Sequence, residues 1–309
     1  MIAIVLLVGV LSGCALLPRN SGADGERPTI ATHAQRELGS LAGVGMVSVA
    51  QTSLDSGSEP SAVWGDDPLD PDRWSIDLEV TVLLGSTDDE VVAAAEAVAD
   101  YSESHVGSGP WTARVRVFDL SLTLDPDVEY APPVLVDVYP DTLRRPLEVS
   151  VRSALAAKEL PEVRSVALVD GLPWVQTADA GAMTAVYAGL RESPLWEAGG
   201  SLQSTDGRVR IMDVPERQSP AGVDAILAAA TAFPDAQFWL EAPTLGPRWP
   251  VLYIDRVSEE EAAAITAIFV DPSMAAANTD TFVLPFTIRA TGAAGPVDST
   301  GTFGGVPAG

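Results

Sequence analysis

Two hydrophobic periods alternate along this chain. Ile76, Leu78, Val80, Val82 and Leu84 occupy every second position, with Asp77, Glu79 and Thr81 between them, and Phe282, Leu284, Phe286 and Ile288 repeat the pattern. Alternation of this kind predicts strands with one buried face. Elsewhere the apolar positions recur at helical spacing: Val91, Ala94, Val98, Tyr101; Val223, Ile226, Leu227, Ala230; Ala262, Ile265, Ile268, Phe269. Each set makes a single stripe, so each helix is predicted to cover one face of something else. The helix starts are marked by caps. Thr87-Asp88-Asp89-Glu90 and Ser258-Glu259-Glu260-Glu261 fit the capping box, and Ser219-Pro220 sets a cap residue before a proline at the first helical position. Asp170-Gly171 between Val169 and Leu172 predicts a two-residue hairpin. Residues 243–248 predict a longer one. Apolar parity slips at Val117-Phe118, the signature of a β-bulge.

In chain order the elements spell strand, helix, strand, strand, helix, strand. The clearest unit has strand 208–213, helix 219–232, strands 236–242 and 249–256, helix 258–270 and strand 281–289. A second has strand 133–139, helix 146–160, strands 163–169 and 172–177, helix 179–192 and strand 200–205. A first lacks its opening strand: helix 30–40, strands 44–53 and 74–84, helix 87–104 and strand 111–124. This order resembles the split βαβ, ferredoxin-like arrangement. It implies an α+β protein of two to three tandem ferredoxin-like modules with antiparallel sheets, at residues 29–128, 129–205 and 206–290. Pro285 in the last strand fits an edge position there. Val151-Arg152-Ser153-Ala154-Leu155 followed by Leu160-Pro161-Glu162-Val163-Arg164-Ser165-Val166 resembles the helix-turn-strand of heavy-metal-associated domains, and Leu38-Gly39-Ser40-Leu41-Ala42-Gly43-Val44 echoes it. The Cys-x-x-Cys loop through which those domains bind metal is absent, so their metal function does not carry over.

The N-terminus is of another kind. Residues 1–17 hold no charged side chain, and Leu11-Ser12-Gly13-Cys14 closes the apolar run with the chain's single cysteine. This resembles a bacterial lipoprotein signal peptide with its lipobox, which implies a signal peptide at 1–13 and a diacylated Cys14 at the mature N-terminus. No Lys or Arg precedes the run, as a start placed downstream of the true one would produce. The competing reading is a short uncleaved membrane helix, since about 17 apolar residues is the lower limit for spanning a bilayer. Residues 14–28 read as a flexible tether and 291–309 as a disordered tail, both rich in glycine and polar residues.

Composition narrows the partners. The net charge is −25, from 43 acidic and 18 basic residues, and Lys158 is the only lysine. That balance argues against nucleic acid and against anionic lipid surfaces as ligands of the folded part. With no cysteine after Cys14 there are neither disulfides nor a thiol nucleophile.

Candidate chemistry is sparse. His33 and His105 lie outside any metal-ligand spacing and read as surface residues. Asp66, Asp67, Asp70 and Asp72 crowd one loop, but the segment lacks the turn glycine and closing Glu of an EF-hand and reads as a solvated acidic loop, as does 125–129. No phosphate-binding glycine loop and no G-x-S-x-G elbow is present. Trp174, Trp239, Trp249 and Tyr253 fall in hairpin strands, where an open sheet face would present them to a partner or ligand. The expectation is therefore a lipid-anchored envelope protein on the extracytoplasmic face of the cell membrane, non-catalytic, without cofactor or metal. It would bind or scaffold an envelope protein partner. The rivals are a substrate-capturing lipoprotein of a transport system and a carboxylate-dependent envelope enzyme.

Overall fold

A computed structural model describes residues 27–53, 74–105, 111–118, 132–138, 145–169, 171–241, 250–293 and 295–305. In chain order the elements are α1 (Arg27–Leu38), β1 (Val44–Ser53), β2 (Trp74–Leu83), α2 (Asp88–His105), β3 (Trp111–Phe118), β4 (Val134–Asp137), α3 (Leu147–Lys158), β5 (Val163–Val169), β6 (Leu172–Thr177), α4 (Met183–Arg191), β7 (Gly200–Ser204), β8 (Val209–Asp213), α5 (Pro220–Ala232), β9 (Gln237–Glu241), β10 (Val251–Ser258), α6 (Glu259–Phe269), β11 (Pro285–Gly292) and β12 (Gly295–Thr302). The predicted helices and strands are present, with ends that differ by up to four residues within the described segments, and β12 is an added strand. Their assembly is not the one expected.

All twelve strands join one mixed sheet in sequence order, β1 to β12. Pairings alternate strictly: antiparallel across each hairpin, parallel across each helix. This corrects the expectation of tandem ferredoxin-like modules with antiparallel sheets. In a split βαβ unit another strand lies between the two that a helix connects. Here those two strands pair directly, as in Val209↔Phe238 for β8 and β9 and Leu252↔Phe286 for β10 and β11. Both assemblies share one element order, and hydrophobic period reports which face a strand buries but not which strand lies beside it. The sheet also runs through 128/129 and 205/206 by way of the β3–β4 and β7–β8 pairs.

Three local expectations change with it. Pro285 opens β11, an internal strand, and as first residue it is spared a ladder bond. Residues 295–302, expected in a disordered tail, form the edge strand β12. No bulge occurs at Val117-Phe118: Val82↔Val117 and Leu83↔Phe118 continue the β2–β3 register, and both residues are buried where the strand ends.

The helices share one face. The inward residues of α2 to α6 and the core parity of the strands make a single cluster, including Val80, Val115, Val136, Leu168, Leu202, Ile211, Phe238, Leu252 and Phe286. Neighbouring helices are linked by ion pairs, α2 to α3 by Asp89–Arg152 (2.7 Å) and α4 to α5 by Arg191–Asp224 (3.6 Å). Strand direction reverses from one helix crossover to the next, yet the helices stay on one side. Successive crossovers therefore have opposite hands, and two or three of the five depart from the usual right-handed connection.

The resemblance between Leu41-Ala42-Gly43-Val44 and Leu160-Pro161-Glu162-Val163 is structural. In each, the leucine amide returns to the helix end (Leu38 O, Ala157 O) and the valine amide to the leucine carbonyl. The third residue is left-handed, Gly43 at φ 76° and Glu162 at φ 69°. The turn after α5 repeats one of these bonds, Ala236 N to Phe233 O. Aligned on that turn, α1, α3 and α5 are successive copies of one helix in a repeat of helix, hairpin, helix, hairpin.

Candidate functional site

The helices leave the other sheet face open. Alternation puts Phe238 and Leu240 of β9 in the core and Gln237, Trp239 and Glu241 on the open side. On β10, Leu252 and Ile254 are buried while Val251, Tyr253 and Asp255 face out. Cross-strand register then builds a row of side chains over six strands: Gln176 (β6), Gln203 (β7), Arg210 (β8), Trp239 (β9), Tyr253 (β10) and Thr287 (β11). All six are half-buried.

Two aromatic positions organise this face. Trp239 and Tyr253 are directly opposite each other, and the indole N–H of Trp239 donates to Gly207 O at 3.2 Å. With Glu241, Asp255, Thr287 and Arg289 they line a cavity of about 290 Å³, open to solvent. Small-ligand pockets begin near about 300 Å³. Trp174, on β6, lies three strands from β9, at the other end of the row. The Arg210 guanidinium sits 5.4 Å from its ring centroid, a cation–π contact. Arg289 is held by Asp298, Nε to Oδ1 at 3.0 Å. Hydrogen bonding to the Asp298 side chain, together with the attraction of Asp298 and Asp255, raises the Arg289 pKa, and the bond from Arg289 holds Asp298 below its ordinary range.

A second constellation lies inside the helix layer and was not expected. The Asp213 carboxylate, at the end of β8, accepts from Trp196 Nε1 (2.7 Å) and Tyr187 OH (3.0 Å) on Oδ2 and from Gln218 Nε2 (3.1 Å) on Oδ1. All four residues are buried. Burial, and then the neighbouring Asp213 charge, hold the Tyr187 hydroxyl far above the ordinary tyrosine range. Arg191 stacks on the outer side of that ring, at 5.6 Å. A sequence signal existed: in Val209-Arg210-Ile211-Met212-Asp213 the aspartate falls on the buried parity.

Of the expected site residues, the structure brings Trp239 and Tyr253 together and sets Trp174 apart from them on the same face. Cys14 and Trp249 lie outside the described residues, as do the acidic loop with Asp66, Asp67, Asp70 and Asp72 and the segment 125–129. His33 pairs with Glu37 at 3.3 Å beside the Tyr101 ring. Among the described residues no group of three His, Cys, Asp or Glu could hold a metal ion, and no helix is long and apolar enough to cross a membrane. The chain matches no protein-family model, no curated protein and no solved structure.

Proposed function

We propose that this is a lipid-anchored binding protein of the cell envelope, attached through Cys14 on the extracytoplasmic face, with the open sheet face as its working surface. The observation that carries the reading is the aromatic row on that face. Trp239 and Tyr253 stay half-exposed on a sheet whose other face packs against the helices in one core. Large aromatic side chains left at a water boundary with polar neighbours are characteristic of binding surfaces. The reading is non-catalytic because the best-connected carboxylate, Asp213, is committed to three buried donors and is closed off from that face. The test has two arms. Cys14→Ala should move the protein from the membrane fraction to the soluble fraction or leave an unprocessed precursor, and labelled palmitate should be incorporated only by the wild type. Crosslinking in intact envelopes through a photoreactive group at Thr287 should give an adduct that Trp239→Ala abolishes. Crosslinking that persists in Trp239→Ala would remove the open face as the working surface.

A further inference from the structure

Resting on that reading, we propose that the row Gln176–Gln203–Arg210–Trp239–Tyr253–Thr287 is a track for a segment of a neutral, linear polysaccharide. The argument is chemical. Among the described residues, Trp239, Tyr253 and Trp174 are the large ring surfaces on this part of the face, and flat rings match the C–H faces of pyranose units. Around them the open face carries planar or short hydrogen-bonding groups: the amides of Gln176 and Gln203, the guanidinium of Arg210, the carboxylates of Glu241 and Asp255 and the hydroxyl of Thr287. Such groups donate and accept in pairs, as vicinal hydroxyls require. Glu241 and Asp255 beside the aromatic pair depart from a protein-interface centre, which is depleted of acidic residues. A polyanion would meet a chain of net charge −25 and the carboxylates beside the aromatic pair. Shape favours a polymer over a free sugar, because the cavity at Trp239 and Tyr253 is shallow while the row continues over six strands. At about 4.8 Å per strand step that is roughly 24 Å, the length of several sugar units.

The test is affinity electrophoresis of the full chain, purified in neutral detergent, through gels containing mixed-linkage β-glucan, xylan, galactomannan, dextran or polygalacturonate. At least one neutral polymer should retard the wild type. Trp239→Ala and Tyr253→Ala should each weaken the apparent affinity for that polymer at least tenfold. Val149→Ser, on the helix side, should migrate as wild type does. Far-ultraviolet circular dichroism on each variant checks that it is folded, and Trp239→Phe, which keeps a ring, should restore most of the retardation. Migration unaffected by all four neutral polymers overturns the proposal, and so does retardation by polygalacturonate alone or retardation that Trp239→Ala leaves intact. If the neutral polymers fail while Trp239→Ala still abolishes the envelope crosslink, the polysaccharide is wrong and the open binding face stands. If both fail, both fall.

Discussion

Asp213 shows how much one side chain can hold together. Three buried donors from α4, the turn after it and the segment before α5 converge on its carboxylate. Asp213→Ala strands all three without a partner, so the expected cost is large, about 3 kcal/mol or more, read as a lowered urea midpoint with unchanged slope. Asp213→Asn keeps the shape and most of the bonding and should lose less. Glu162 offers the opposite case. It occupies a left-handed conformation, φ 69°, where its counterpart in the first repeat is Gly43. Relief of that strain outweighs the added freedom of the unfolded chain, so Glu162→Gly should stabilise by about 0.5 kcal/mol, whereas Gly43→Ala should destabilise. A Cβ at Gly43 would also approach Ser86 Oγ to 2.7 Å. Thermal melts of the two variants, run side by side, check the opposite signs. The two positions are related by the turn they share, which the repeated Leu-x-x-Val spacing already marked in the sequence.

At the scale of elements, the capping boxes connect sequence most directly to energy. Ser258 accepts from the Glu261 amide at 3.2 Å, and the Glu261 carboxylate accepts from the Ser258 amide at 2.8 Å. Ser258→Ala should cost about 1 kcal/mol. The backbone and then the hydroxyl of Ser258 hold the Glu261 pKa below its ordinary value. A depressed carboxylate stabilises above the unfolded pKa and loses that contribution as pH falls through the folded one. The difference between wild type and Glu261→Gln should therefore be largest at neutral pH and shrink on acidification below the usual glutamate range, as followed by denaturation at a series of pH values. Caps, stripes and alternation made the elements legible: α6 begins where Ser258-Glu259-Glu260-Glu261 said it would, and Val169 pairs with Leu172 where the hairpin was expected. Pairing was not legible. Nothing in Val209-Arg210-Ile211 or Phe238-Trp239-Leu240 distinguishes direct neighbours from strands separated by a third. The site was half legible. Parity placed Trp239 and Tyr253 on the open face, but only register put Arg210 and the two glutamines in line with them.

For the whole molecule, an array of repeated units must end somewhere. Counting back from the shared turn, Thr32 and Gln35 of α1 stand where Val151 and Ala154 stand in α3. The latter pair is fully buried, and Thr32 and Gln35 are exposed. At the far end, Ala263 and Thr266 of α6 match Val92 and Ala95 of α2, counted from the capping boxes, and the edge strand β12 sets Pro296 and Asp298 beside a half-exposed Val297. The first end thus carries a polar outer surface of the kind that keeps a repeat array finite, while Pro296 and Asp298 blunt the edge at the other. Replacing Thr32 by Val and Gln35 by Ala, to restore the internal pattern, should promote self-association, visible as a concentration-dependent shift in sedimentation velocity that the wild type lacks. The sheet order has a further consequence, for the way such a chain is made. Every strand pairs only with the strand before it and the strand after it in sequence, so contacts stay local and no segment waits for a distant partner. A chain that emerges N-terminus first as it is synthesised can lay down this sheet one strand at a time, each new segment finding its place on an edge already built.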